Sequence, residues 1–174
     1  MLKLLRRPSS ARFAAERLHA AAVTQARDPA LYARMGAPDT IEGRFELLCV
    51  HIILLLDRLK GAEAPMAETR QTLFDVFVSH LDGAMREMGV GDLAMAKRMR
   101  RLGEAFYGRL QAYEEALAAL PDRSVLEAVV ARTILDGCVA EPRELARYLE
   151  AARLALHEQQ TPGLLKEGPR WPTP

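Results

Sequence analysis

The sequence has little of what marks an exported or membrane-spanning protein. Its two cysteines, Cys49 and Cys138, have no Cys, His or acidic neighbour at metal-ligand spacing, which predicts two reduced, buried thiols. The longest charge-free run, 47–56, is half of the roughly 20 apolar residues that a spanning helix needs. The basic start 1–7 is not followed by the apolar stretch of a signal peptide. We therefore expect a soluble protein of the cytoplasm.

Charge of one sign is also lacking. The 24 Lys and Arg residues nearly balance the 23 Asp and Glu residues, leaving a formal net charge of +1. Such a chain has too weak an overall field to gather phosphates, so DNA is not an expected partner.

The sequence carries no motif of an established enzyme class. Its four serines lie outside any G-x-S-x-G turn, and it has neither a phosphate-binding loop nor a G-x-G-x-x-G motif. Asp39 and Glu42 form a carboxylate pair, but at a helix start, where acids favour the helix dipole and cap free amides. We therefore predict no catalytic residues, no metal site and no cofactor.

Strand signals are missing as well, because no segment alternates apolar and polar residues with Val, Ile and Thr enrichment. Apolar residues instead recur at spacings of three and four between a few Gly and Pro clusters. This pattern predicts an all-α, single-domain bundle of about six or seven helices, with 41–60 as the central buried helix. We expect a flexible basic N-terminus at 1–8, the helical domain at 9–160 and a disordered, proline-rich tail at 161–174.

His51 stands in the apolar centre of that helix and allows two interpretations. Arg44, His51 and Arg58 are seven residues apart and lie on nearly one line of the helix, as a polar seam would. Alternatively, His51 binds haem or a small molecule in a pocket with Asp39 and Arg44, as in a helical enzyme. Arg44, placed beside buried residues, needs either an interface or a carboxylate partner, for which Glu87 and Asp92 are the candidates.

Two segments of the predicted helix 93–120 are candidates for binding a partner. Lys97, Arg98, Arg100 and Arg101 cluster on its outer side, as either a solvated face or a docking patch for an acidic or phosphate-bearing partner such as the ribosome. Further on, Gly108 interrupts the helix at a cost of about 1 kcal/mol against Ala, so we expect a neighbour to approach it closely. That neighbour is either the central helix or a partner helix laid in a groove, with Tyr107 and Arg109 as anchors.

The segments 36–51 (GAPDTIEGRFELLCVH) and 81–113 (LDGAMREMGVGDLAMAKRMRRLGEAFYGRLQAY) resemble the ubiquinol-cytochrome c chaperone family, the assembly factors of respiratory complex III. The matching elements are Pro38-Asp39-Thr40, Gly43-Arg44-Phe45, His51, the segment 86–92 (REMGVGD) and the segment 106–109 (FYGR). Ala37 and Leu81 are mild departures at apolar positions. The resemblance covers about 28–120.

The resemblance implies a non-enzymatic chaperone that binds newly made cytochrome b. It also implies a small partner protein and a place near the ribosomal exit tunnel. All but four of the 24 basic residues are arginine, which suggests a bacterial gene. We expect a location in the cytoplasm, peripheral to the inner membrane, because the start 1–7 places three basic residues beside Leu2, Leu4 and Leu5. The residues proposed to bind partners are Pro38, Asp39, Thr40, Arg44, His51, Arg86, Glu87, Asp92, Lys97, Arg98, Arg101, Tyr107, Gly108, Arg109 and Tyr113.

Overall fold

A computed structural model of the chain describes residues 10–61, 66–89 and 91–174. These ranges contain eight helices and no strand, so the predicted all-α bundle is confirmed. The helices are α1 (Ser10–Ala26), α2 (Pro29–Ala33), α3 (Ile41–Arg58), α4 (Met66–Glu87), α5 (Asp92–Ala118), α6 (Ser124–Arg132), α7 (Arg143–Glu158) and α8 (Thr161–Glu167). The predicted flexible segment 1–8 lies outside the described residues.

The central helix of the bundle is α3, as its apolar sequence predicts. Thr40 begins it by accepting a hydrogen bond from the Gly43 amide at 3.1 Å. Nearly every side chain from Leu47 to Leu56 is buried, because α1, α4, α5 and α7 pack around this helix. None of the helices in the described ranges is both long enough and apolar enough to cross a membrane.

Helices α4 and α5 form a helical hairpin, and Gly89, just after α4, has a φ of +80°. Helix α5 begins at Asp92 itself, with Gly91 at the N-cap position, one residue before the expected start. In its first turns Met95 is buried, whereas Met99 is only half-buried. This part of α5 is therefore covered by the bundle along a narrow side.

The tail that we expected to be disordered is ordered and packed, so that prediction is wrong. Residues 161–167 form α8, with Leu164 buried, and the following residues run back over the bundle. Arg58 donates hydrogen bonds to the carbonyl oxygens of Leu156 and Gln159 at 2.8 and 3.0 Å, and to the Thr161 hydroxyl at 3.2 Å.

Candidate partner-binding surface

Steric packing between Gly43 and Pro38 shapes the turn before α3. A Cβ at position 43 would collide with the carbonyl oxygen of Pro38 and lie 2.8 Å from its Cγ. Gly43 therefore allows residues 38–40 to fold tightly over the first turn of α3. In this arrangement Pro38, Asp39 and Thr40 shape the helix start, with Thr40 as the cap.

Arg44 pairs with Asp39 and not with Glu87 or Asp92, which corrects the expected partner. Its Nε lies 2.6 Å from Oδ1 of Asp39, and both side chains are 60% exposed. The hydrogen bond lowers the pKa of Asp39 and raises that of Arg44. The pair lies on the surface, where an ion pair of this kind adds little stability.

His51 is fully buried, and both of its ring nitrogens have protein partners. Nδ1 lies 2.7 Å from the Leu47 carbonyl oxygen, which assigns the ring proton there, and Nε2 accepts from the Tyr148 hydroxyl at 2.8 Å. The same hydroxyl accepts from Nε2 of Gln25 at 3.0 Å. Burial lowers the pKa of His51 to about 4, so the ring is neutral at pH 7.

This network argues against the interpretation of His51 as a haem or small-molecule ligand. The ring joins α1, α3 and α7 through Gln25 and Tyr148, and Trp171 of the tail packs edge-on against it at 5.1 Å. Asp39 and Arg44 are exposed, whereas His51 is buried, so the three do not line one pocket. In the described ranges no three His, Cys, Asp or Glu side chains are grouped so as to hold a metal.

Arg109, expected from the sequence to anchor a partner, already has hydrogen-bond partners within the bundle. Its guanidinium forms two hydrogen bonds to the Glu46 carboxylate, one of them from Nε at 2.5 Å, and a third to the Ala105 carbonyl oxygen at 3.0 Å. Glu46 is 9% exposed. The bond to Glu46 raises the pKa of Arg109. The pair therefore ties α5 to α3 inside the bundle.

Sequence reasoning missed Glu46, which belongs to no motif. One signal pointed to it: position 46 lies on the central helix between Phe45 and the buried run from Leu47, where an acid needs a partner.

Tyr113 is another proposed binding residue that the structure places in the core. It is 1% exposed, and its hydroxyl donates to the Thr133 hydroxyl at 2.9 Å, which in turn donates to the Val129 carbonyl oxygen. Burial raises its pKa. Tyr113 thus connects α5 to α6 and is not available to a partner.

Tyr107 and Gly108 are the residues of the FYGR segment that are exposed on the surface of α5. Tyr107 is 58% exposed and rests against Phe74 of α4 at 5.7 Å between ring centroids, while Phe106 is buried beneath. A Cβ at Gly108 would meet nothing within 4 Å. The expectation that the central helix approaches Gly108 is therefore wrong. We call Phe74, Tyr107 and Gly108 the aromatic strip.

The other proposed residues lie near the end of the hairpin where α4 is joined to α5. Arg86 pairs with Asp82 at 2.8 Å, and Glu87 is exposed at the end of α4. Lys97, Arg98, Arg100 and Arg101 are all exposed on the first turns of α5. The proposed residues thus fall into three separate groups: the turn before α3, the core of the bundle, and the exposed surface of the hairpin.

Comparisons with known proteins agree with this fold. Residues 33–171 match the family model described as ubiquinol-cytochrome C chaperone. The chain is 22% identical over 142 residues to "Ubiquinol-cytochrome-c reductase complex assembly factor 1" of Xenopus laevis, which covers 82% of this chain and 70% of the frog protein. Its mouse counterpart is 24% identical over 142 residues, covering 82% of this chain and 48% of the mouse protein.

A solved structure shares the architecture over nearly the whole length. The crystal structure of the Cbp3 homolog from Brucella abortus superposes with a TM-score of 0.83 at 32% sequence identity. The match covers 94% of this chain and 91% of the other. The family model matches well over half of the chain, and the solved structure has the same fold over 94% of it. The chain therefore belongs to the ubiquinol-cytochrome C chaperone family.

Proposed function

We propose that this protein is a non-enzymatic assembly factor for ubiquinol-cytochrome c reductase and that its client is newly made cytochrome b. The family supports the assembly role, and the relatives from frog and mouse carry it in their names. The observation that carries the binding proposal is the aromatic strip, which spans α4 and α5. There an exposed tyrosine adjoins a helical glycine with no neighbour.

The aromatic strip suits an apolar helix as its ligand. Tyr107 offers an aromatic face that is already oriented by Phe74, so little conformational freedom is lost when a partner covers it. Gly108 leaves the α5 backbone open to close approach, as small residues do where two helices pack. In the interior of a helix, Ala is more stabilising than Gly. Glycine at position 108 therefore lowers the stability of the fold, and no contact within the bundle explains its presence.

Replacing Gly108 with Ala tests the proposal, because it separates stability from client binding. Gly108→Ala should stabilise the protein by about 1 kcal/mol, because the added methyl meets open space in a helix. It should nevertheless recover less cytochrome b when the protein is purified by affinity from membranes of its host. Gly83→Ala is the matched control, because Gly83 is also helical with nothing within 4 Å but lies on α4 away from Tyr107. It should stabilise equally and leave recovery unchanged.

Two results would overturn the proposal. If the wild-type protein recovers no cytochrome b, cytochrome b is not its client. If Gly108→Ala and Tyr107→Ala both recover as much cytochrome b as the wild type, the aromatic strip is not the binding site. A small partner protein, a position near the ribosomal exit region and a cytoplasmic location peripheral to the inner membrane remain predictions of the family resemblance.

A further inference from the structure

Helix α5 carries an exposed cluster of four cations. Lys97, Arg98, Arg100 and Arg101, which we call the basic turn, form no ion pair or side-chain hydrogen bond within the described ranges. Many arginines elsewhere are engaged, such as Arg58 with backbone carbonyl oxygens and Arg153 with Asp57 at 2.9 Å. Other unpaired arginines, such as Arg132 and Arg143, are not clustered in this way.

The shape of this region limits what binds there. Ala94, Ala96 and the basic turn are exposed, and among residues 94–101 only Met95 is buried, so the cations project from a convex helix surface. The cations cover about 160° of the helix circumference at 100° per residue. A convex surface of this kind has no pocket for the aromatic anchors of a protein partner. It also does not fit the deep, narrow major groove of an RNA duplex.

A flat anionic surface fits both the shape and the charge. Clustered Lys and Arg residues on a helix bind the headgroups of anionic lipids, each contributing about a fivefold gain in partition. Glu104 is the one acidic residue between Lys97 and Tyr107, so the surface keeps a net positive charge. We propose that the basic turn docks this protein on an anionic phospholipid membrane.

The basic turn and Tyr107 lie on the same helix, so membrane docking also positions the aromatic strip. Arg100 and Tyr107 are seven residues apart and lie on nearly one line of the helix, about 10 Å from each other along its axis. Docking therefore brings the aromatic strip close to the level of the headgroups, where an interfacial tyrosine is stable. This last step alone depends on the proposed client function, because lipid binding itself is measured without any client.

The experiment is cosedimentation of the purified full chain with vesicles at physiological ionic strength. We expect binding to phosphatidylcholine vesicles that contain phosphatidylglycerol and none to phosphatidylcholine alone. Arg98→Gln/Arg101→Gln should reduce the partition about 25-fold, as expected for two cations. The matched control Arg132→Gln/Arg143→Gln removes the same charge from α6 and α7 and should bind as the wild type does. Circular dichroism shows whether each variant keeps its helices.

Three outcomes would overturn the proposal. The first is equal binding, or equal lack of binding, to the two kinds of vesicle. The second is an effect of Lys3→Gln/Arg6→Gln/Arg7→Gln that accounts for all of the lipid binding while the Arg98 and Arg101 variant binds normally. The third is salt-sensitive binding to purified ribosomes with no binding to vesicles, which would assign the basic turn to RNA. Loss of cytochrome b recovery with lipid binding intact would instead count against the client function alone.

Discussion

The Glu46 and Arg109 pair gives the sharpest test of how the bundle is held together. Replacing Arg109 with Met keeps the aliphatic stem and removes both hydrogen bonds to a carboxylate that is 9% exposed. An uncompensated charge at a fully buried site costs about 3 to 5 kcal/mol. The Arg109 side chain is 25% exposed, so some water reaches the pair. We therefore expect the free energy of unfolding to fall by about 3 kcal/mol.

Urea titration followed by far-ultraviolet circular dichroism measures this loss. The double variant Glu46→Leu/Arg109→Met is the control, because it removes the stranded carboxylate and fills its place with apolar atoms. Its stability should return to within about 1 kcal/mol of the wild type. An Arg109→Met protein within about 0.5 kcal/mol of the wild type, or a double variant no more stable than Arg109→Met, would refute the argument from an uncompensated buried charge.

The same double variant separates structure from function. The guanidinium of Arg109 is already hydrogen-bonded to Glu46 and Ala105, so we expect no partner to depend on it. The folded double variant should therefore recover cytochrome b as well as the wild type does, per mole of folded protein. Loss of the client from a stable double variant would restore Arg109 as a binding anchor.

Three further predictions concern the helix start, the buried histidine and the tail. Gly43→Ala should lower the free energy of unfolding by about 2 kcal/mol, because the methyl collides with Pro38; an unchanged urea midpoint would contradict this. The pKa of His51 is about 4 in the folded protein and 6.5 when unperturbed, so the unfolded state takes up a proton first as the pH falls. Stability should drop by about 3 kcal/mol between these pH values, and His51→Gln, titrated alongside, should lack this part of the drop. Trp171, the single tryptophan, should fluoresce at shorter wavelength than in urea, whereas the emission of a detached tail would not change on unfolding.

The helices follow from the sequence because their causes are local. Apolar periodicity, the Thr40 cap and the glycine at position 89 act within a few residues, and the resulting helices lie close to their predicted bounds. The tail differs because its order depends on contacts across the chain. Arg58 binds carbonyl oxygens about 100 residues away, and Trp171 rests on His51. A composition rich in proline gives no sign of such contacts.

The candidate site shows the same division between local and distant causes. Glycine at position 43 is explained by Pro38, five residues before it, whereas Gly108 was expected to have a close neighbour and has none. Arg109 was expected to anchor a partner, whereas in the fold it binds Glu46, which lies 63 residues earlier on another helix. Charge pairing between helices has no period in the sequence, so only the folded chain shows which arginines are occupied.

The side chains that are paired or buried within the fold limit the surface that is free to bind a partner. Among the segments that resemble the family, the turn at 38–44 fits around the start of α3, His51 is enclosed by three elements, and Arg109 is held by Glu46. Each contributes contacts that hold the helical bundle together. Within the described ranges, Gly108 and the basic turn make no such contacts, and Tyr107 is 58% exposed although one side of its ring rests on Phe74. Features that cost stability and do not serve the fold are expected at functional sites. The outer face of α5 is therefore where substitutions should change partner binding without loss of folding.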